Sequence, residues 1–206
     1  MDLYFSLLAC SLASRITVYE AGAEGEVALT PVDTKAGKTA DGQDYLSINP
    51  MGLVPALRMA DGDILTENAA ILPYLADQFP QAKLAPVSGA ERSRLTQWLS
   101  FVGSELHKGV FAPLLSPTAA PEVKAHALAA APKRLARLDK HLIGREFLLD
   151  QFSVADAYLT TVLNWARFIQ MDLTPYPAVA AYFERITARP QVARAMQEEF
   201  GLYQAA

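Results

Sequence analysis

The sequence predicts two domains of different class, an α/β domain over residues 1–80 and an all-α helical domain over residues 88–206. Three observations predict this. The first eighty residues alternate short apolar runs with helical periodicity in the order βαβ then ββα, the pattern of a small mixed sheet with helices against it. Residues 81–87 carry Pro86 and little periodicity, and read as a linker. Beyond them every segment repeats at helical spacing.

Leu3–Phe5 is the first strand. A helix follows over Ser11–Ala21, with Leu12, Ile16 and Tyr19 on one stripe and Gly22 as its stop. Val27, Leu29 and Pro31 alternate as a second strand. The polar stretch Thr34–Asp44 reads as a loop, and Tyr45, Leu46 and Ile48 as a short helical turn. Ala56–Met59 forms a third strand, Asp61-Gly62-Asp63 a hairpin turn and Ile64–Leu65 a fourth strand. Thr66 caps a helix over Glu67–Gln78 that closes at Phe79-Pro80.

In the second domain, Ser88-Gly89-Ala90-Glu91 has capping-box spacing and opens a helix with the stripe Leu95, Trp98, Leu99, Val102 and Leu106. Gly109 and Pro113 mark its end. A long helix spans Glu122–Leu142, with Leu128, Leu135, Leu138 and Leu142 inward and a kink expected at Pro132. Ser153-Val154-Ala155-Asp156 opens a helix that is apolar on several sides, which places it at the centre of a bundle. Shorter helices follow near Ala178–Ala188 and Val192–Glu199.

Composition narrows the function classes. The chain has 206 residues, 51% of them hydrophobic and 19% charged, as expected of a folded globular protein. Its net charge is −4 and its basic residues form no run, so nucleic acid is not an expected partner. No apolar run reaches membrane-spanning length, and the N-terminus does not read as a signal peptide. The single cysteine, Cys10, excludes an internal disulfide framework and favours a reducing, cytoplasmic compartment.

Cys10 stands between the first strand and the first helix. There the N–H groups of a helical first turn favour a thiolate and an anion, although cysteine is also a small hydrophobe that is often buried and inert. Pro55 directly precedes a strand in which it cannot donate to a ladder. A cis Val54–Pro55 bond would turn the Val54 backbone groups outward, where they can pair with an extended peptide. Glu67 and Asn68 open a helix whose N–H groups suit a carboxylate, while Glu67 suits an ammonium group. His107, at a helix end, is able to share a proton with a thiol, or to be structural. His126 and His141 lie on charged helical faces and read as solvated. The Ser153/Asp156 pair reads as a capping box rather than a catalytic pair.

These blocks together resemble the cytosolic glutathione transferases, over the whole chain. Ala9-Cys10-Ser11-Leu12-Ala13 is similar to the signature of the bacterial beta class. Asn49-Pro50-x-Gly52-x-Val54-Pro55-Ala56-Leu57, Leu65-Thr66-Glu67, Glu105-Leu106-His107-Lys108-Gly109 and Ser153-Val154-Ala155-Asp156-Ala157-Tyr158 follow in the family's order. The resemblance implies a thioredoxin-like N-terminal domain that binds glutathione as cosubstrate, an all-helical domain that contributes an electrophile site, a homodimer and no metal. It implies Cys10 and His107 as catalytic residues and Ser11 as a backup donor to the thiolate. Glutathione contacts are implied for Cys10, Val54, Pro55, Glu67, Asn68, Ser100, Ser104 and His107. The glycyl carboxylate falls to Lys35, Lys38 or Lys108. Leu7, Leu8, Phe111 and Trp165 are expected to line the electrophile site. Leu7-Leu8 stands where the class commonly has Pro-Gly, Phe5 where it often has tyrosine, and Ser100 where it commonly has asparagine.

The leading expectation is therefore a glutathione transferase that directs the glutathione thiolate to a hydrophobic electrophile in detoxification. The alternatives are thiol–disulfide or reductive chemistry through a Cys10 mixed disulfide, and a non-enzymatic glutathione-binding or regulatory protein.

Overall fold

Strand β1 (Asp2–Phe5) is the centre of a five-stranded sheet in the order β3-β2-β1-β4-β5. Its Leu3, Tyr4 and Phe5 are all buried. In this computed structural model, which describes residues 1–205, β1 runs parallel to β2 (Ala28–Asp33) and antiparallel to β4 (Ala56–Arg58). Leu3 lies opposite Leu29 on one side and Leu57 on the other, so the apolar pattern sets the register. Strand β5 (Ile64–Thr66) pairs antiparallel with β4 through the Asp61-Gly62-Asp63 turn, and Gly62 adopts φ +93 there.

A fifth strand, β3 (Lys38–Thr39), lies inside the stretch expected to be loop and pairs with Val32 and Asp33 of β2. Two residues carry too little apolar pattern to be read as a strand. The 3₁₀ turn Tyr45–Ser47 is capped by the Asp44 carboxylate, which accepts from the Leu46 N–H at 3.1 Å. Tyr45 is fully buried and donates to the Leu53 carbonyl at 2.7 Å, where the Asn49 amide donates as well. These two bonds hold the segment that leads into Val54.

Helix α1 (Leu12–Glu20) is buried from Leu12 to Tyr19, on more faces than its stripe predicts. It contacts α2 (Asn68–Gln78) and also the last helix of the chain, α8 (Pro190–Ala205). The chain from residue 189 onward belongs with residues 1–85, and residues 86–188 form the second unit. The expectation of one helical domain running from 88 to 206 thus gives way at its C-terminal end. Ion pairs join α8 to the first unit, beside its buried Val192 and Ala195. Arg189 makes a two-bond contact with Glu20 at 2.9 and 2.7 Å, Arg194 reaches Glu24 at 2.7 Å, and Glu198 binds buried Arg15.

Thr66 ends β5 instead of capping α2. Glu67 is the cap residue, with a positive φ of +70, and the helix begins at Asn68.

In the second unit, α3 (Gly89–Ser100) opens at an extended Ser88 whose side chain makes no capping bond, and Glu91 pairs with Arg94. The capping box read at this position does not form. Gly109 and Pro113 do not end the helix either. It continues as a π-helical stretch (Phe101–Phe111) and then α4 (Ala112–Leu115), with Pro113 where the one passes into the other. Gly109 fits closely inside the π-helix, since a Cβ there would crowd the Ser104 carbonyl oxygen at 3.0 Å.

Helix α5 (Pro121–Leu142) buries Ala127, Ala131, Leu135, Leu138 and Leu142. Leu128, expected inward, is 59% exposed, because the buried seam follows the alanines one position away. It borders an open groove of about 580 Å³ with Leu114, Phe168, Met171 and Tyr176. Helix α6 (Val154–Leu163) is buried at every position and is followed by a 3₁₀ stretch (Asn164–Ile169) and α7 (Pro177–Thr187).

The capping box at α6 does form. The Asp156 carboxylate is fully buried and accepts from the Ser153 N–H and hydroxyl at 2.9 Å, the Leu148 N–H at 2.8 Å and the Tyr182 hydroxyl at 2.8 Å. It ties the loop before α6, the start of α6 and α7 together. Asp156→Ala leaves all four donors without their acceptor and is expected to cost roughly 3–5 kcal/mol, read as a lower urea midpoint for unfolding.

Candidate active site

The turn between β1 and α1 presents Cys10. Ser11 does not cap α1 with its side chain. Its hydroxyl donates to the Ser6 carbonyl and accepts from the Ser6 N–H, each at 3.1 Å, and the residue is fully buried. Its proton is used within the turn, on the Ser6 carbonyl. The N–H groups expected to face the thiol are also engaged. Those of Leu12, Ala13 and Ser14 bond to the carbonyls of Ala9, Cys10 and Ser11 at 3.1, 3.3 and 3.0 Å.

The Cys10 thiol donates to the Val54 carbonyl at 3.2 Å, across 44 residues of sequence. The Val54–Pro55 bond is cis, as the sequence reading expected, and Pro55 is buried while Val54 is half-buried. Asn68, at the start of α2, donates from its amide to the Cys10 carbonyl at 3.0 Å and accepts from the Ser14 hydroxyl at 3.3 Å. The side chain of Asn68 is thus used to join α2 to α1, and its backbone N–H is what remains for a ligand at the helix start. Glu67 is exposed beside it. Cys10, Val54, Pro55, Glu67 and Asn68 are therefore gathered in the first unit. Lys35 and Lys38 lie in the β2–β3 hairpin, where the Asp33 carboxylate accepts from the Lys35 N–H at 2.9 Å.

Sequence reasoning missed the support behind Cys10. Leu8 adopts φ +56, a conformation that costs a leucine about 1–2 kcal/mol. The turn is held there by α8, where the fully buried Glu199 carboxylate accepts from the Leu8 N–H at 2.7 Å. Its other oxygen faces Arg15 at 3.7 Å. Arg15 in turn lies against the Phe5 and Tyr19 rings, donates twice to the Tyr19 hydroxyl, and pairs with Glu198. The available signal was a lone arginine within an apolar helix and two adjacent glutamates near the end of the chain.

In the second unit, His107, Ser100, Ser104 and Lys108 lie on the one continuous helix formed by α3 and its π-helical extension. Ser100, Ser104 and Lys108 are exposed, and the Ser104 hydroxyl donates to the Ser100 carbonyl at 2.8 Å. His107 is half-buried. Its Nδ1 is 2.8 Å from the Tyr158 hydroxyl, and its ring stands edge-on to Trp165 at 4.9 Å. Burial, with Lys108 adjacent, pushes the imidazole down to about 4, so it is neutral at pH 7.

Phe111, expected to line an electrophile site, is fully buried and packs against Trp165. His126 is exposed as expected. His141 is not simply solvated: its Nε2 is 2.9 Å from the Leu148 carbonyl and its ring lies 4.3 Å from that of Trp98. Among the described residues no group of His, Cys, Asp and Glu is arranged to hold a metal ion, and no helix is long and apolar enough to cross a membrane.

Residues 3–77 match the model of the glutathione S-transferase N-terminal domain and residues 121–185 that of its C-terminal domain. The chain is 40% identical to glutathione S-transferase GstA of Escherichia coli O157:H7, over 97% of this chain and 98% of that one. Among solved structures it is similar to a sphingomonad glutathione S-transferase complexed with glutathione, with 45% identity and a TM-score of 0.91, covering 97% and 98% of the two chains. It is also similar to the beta-class enzyme of Sphingomonas chungbukensis, with 44% identity and a TM-score of 0.90, covering 97% and 98%.

Burial pushes the Glu199 carboxyl up to about 7, against an ordinary value of 4.5. The folded state therefore binds this proton more tightly than the unfolded state does. The stabilisation is complete below pH 4.5 and is lost as pH rises through 7. The expected outcome is a decline of up to about 3 kcal/mol in unfolding free energy between pH 5 and 8. Urea titrations across that range check it, and Glu199→Gln, which keeps an acceptor for the Leu8 N–H, should flatten the dependence.

Proposed function

Given that this chain belongs to the glutathione S-transferase family and is a glutathione transferase with glutathione as its cosubstrate, we propose that Cys10, Val54 and Glu67 form the centre of its glutathione site. The observation that carries this is the Cys10 thiol on the Val54 carbonyl, beside the exposed Glu67 at the start of α2. The Val54 backbone groups pair with the cysteinyl unit of glutathione, held next to Pro55. The N–H groups at the start of α2, including that of Asn68, take the γ-glutamyl carboxylate, and Glu67 takes its ammonium group. Lys35, Lys38 or Lys108 takes the glycyl carboxylate, and Ser100 and Ser104 add polar contacts.

The reaction is attack of the glutathione thiolate on a hydrophobic electrophile, in the service of detoxification. A free thiol titrating near 8.5 is only a few per cent ionised at neutral pH, so donors to the sulfur raise the reactive fraction. Cys10 neighbours the sulfur in this reading. His107 donates to it as a neutral imidazole, so the benefit comes from a hydrogen bond and not from a full positive charge. The site works in a cytoplasmic homodimer, an assembly that sedimentation velocity at micromolar concentration checks. A stable monomer would remove that part of the reading.

A second reading is favoured by Cys10 being the chain's only cysteine and partly accessible. Its thiolate attacks the glutathionyl sulfur of a substrate–glutathione mixed disulfide, releases the substrate as a thiolate and keeps the glutathionyl group as a Cys10 mixed disulfide. A glutathione thiolate then resolves that bond, freeing the Cys10 thiolate and forming oxidised glutathione.

Two variants test these assignments. Glu67→Ala is expected to weaken glutathione binding by about ten- to a hundred-fold in calorimetry, the worth of a charge-assisted contact. Unchanged affinity would take Glu67 out of the site. Cys10→Ala is expected to keep conjugation at a reduced rate while abolishing disulfide reduction. Loss of both activities in a folded variant would make Cys10 essential to the transferase reaction itself.

A further inference from the structure

We propose that Tyr158 is a positioning residue: its hydroxyl donates to His107 Nδ1 and so fixes the ring hydrogen on Nε2, the nitrogen left free to donate. The inference rests on the role given to His107 above and identifies what prepares it. The Tyr158 hydroxyl and His107 Nδ1 are 2.8 Å apart. Tyr158 is only 4% exposed, so leaving its hydroxyl without an acceptor would be costly. A phenol is a good donor, and the unprotonated nitrogen of a neutral imidazole is the acceptor that matches it. With the Nδ1 lone pair occupied, the ring hydrogen can reside only on Nε2.

Two further features hold the ring in one orientation. Trp165 follows Tyr158 by seven residues, two helical turns, and both rings meet His107 edge-on, at 4.9 and 6.1 Å between centroids. His107 itself lies in the π-helical stretch that contacts α6. The neutral state of the imidazole, a consequence of burial, leaves two tautomers to choose between. The Tyr158 hydroxyl is the group that chooses.

Nitrogen-15 spectra of protein labelled at histidine provide the test, with His107→Asn identifying the His107 signals. In the otherwise unaltered protein at pH 7, Nε2 should carry the hydrogen and Nδ1 should show the shift of a hydrogen-bonded, unprotonated nitrogen. Tyr158→Phe, which keeps the ring and removes only the hydroxyl, should move the Nδ1 signal toward that of an unbonded nitrogen. It should also lower kcat for conjugation of an aryl halide by about three- to tenfold, with little change in KM for glutathione. In the His107→Asn background the same substitution should have no further effect on kcat. A hydrogen on Nδ1, or ring signals that ignore Tyr158→Phe, would overturn the proposal. So would altered ring signals with unchanged kcat in a protein whose His107→Asn variant is slowed. If His107→Asn itself leaves kcat unchanged, His107 leaves the reaction and Tyr158 with it, whereas the nitrogen assignments still report the tautomer.

Discussion

A sharp turn between a buried strand and a buried helix has backbone groups that no sheet or helix can satisfy, and the first unit is arranged around solving that problem at residues 6–11. The Ser11 hydroxyl closes on both backbone groups of Ser6. The Asn68 amide covers the Cys10 carbonyl, and the Glu199 carboxylate covers the Leu8 N–H. These partners come from α1, α2 and α8, the last of them 191 residues away in sequence. The cysteine is left with its thiol on the Val54 carbonyl, the one contact in the set that a bound peptide backbone can replace without unfolding the turn.

Charge is also distributed around this turn. Burying Arg15 is tolerable because its guanidinium is held by the Tyr19 hydroxyl and the Glu198 carboxylate, and its faces are covered by aromatic rings. Glu199 is less fully matched, with one strong bond to the Leu8 N–H and a looser approach to Arg15. Its raised proton affinity follows from that imbalance. The arrangement makes the tether between α8 and the cysteine turn sensitive to the protonation of Glu199.

The sequence made much of this legible, and the failures have physical reasons. Strands β1, β4 and β5 were readable because they are short apolar runs and the β4–β5 turn carries Asp-Gly, while β3 was not, because two polar residues carry no apolar signal. The Ser153/Asp156 capping box was readable and formed, but the same spacing at Ser88/Glu91 did not, because Glu91 has Arg94 one turn away. Cys10, Val54, Pro55 and Glu67 were visible as motif residues. Which atoms they engage was not, since the Cys10–Val54 and Leu8–Glu199 bonds join segments with no local periodicity in common. Helix α8 groups with the first unit, and its ion pairs with Glu20 and Glu24 were not readable, because a charge pattern does not specify its partner the way an apolar stripe specifies a core face.

Around Cys10 and around His107 the polar residues are used in opposite ways. In the first unit, side chains of Ser11, Asn68 and Glu199 are spent on backbone groups, so that the turn holding the thiol is rigid while the exposed Glu67 stays available. In the second unit, a side chain is spent on another side chain: the Tyr158 hydroxyl lies on His107 in a setting of aromatic rings. A charged imidazole would be costly in that setting, and burial accordingly keeps the ring neutral. A neutral ring is useful as a donor only if its hydrogen is on the right nitrogen, and that choice needs a partner on the other one. The buried tyrosine supplies that partner, at the cost of no additional charge.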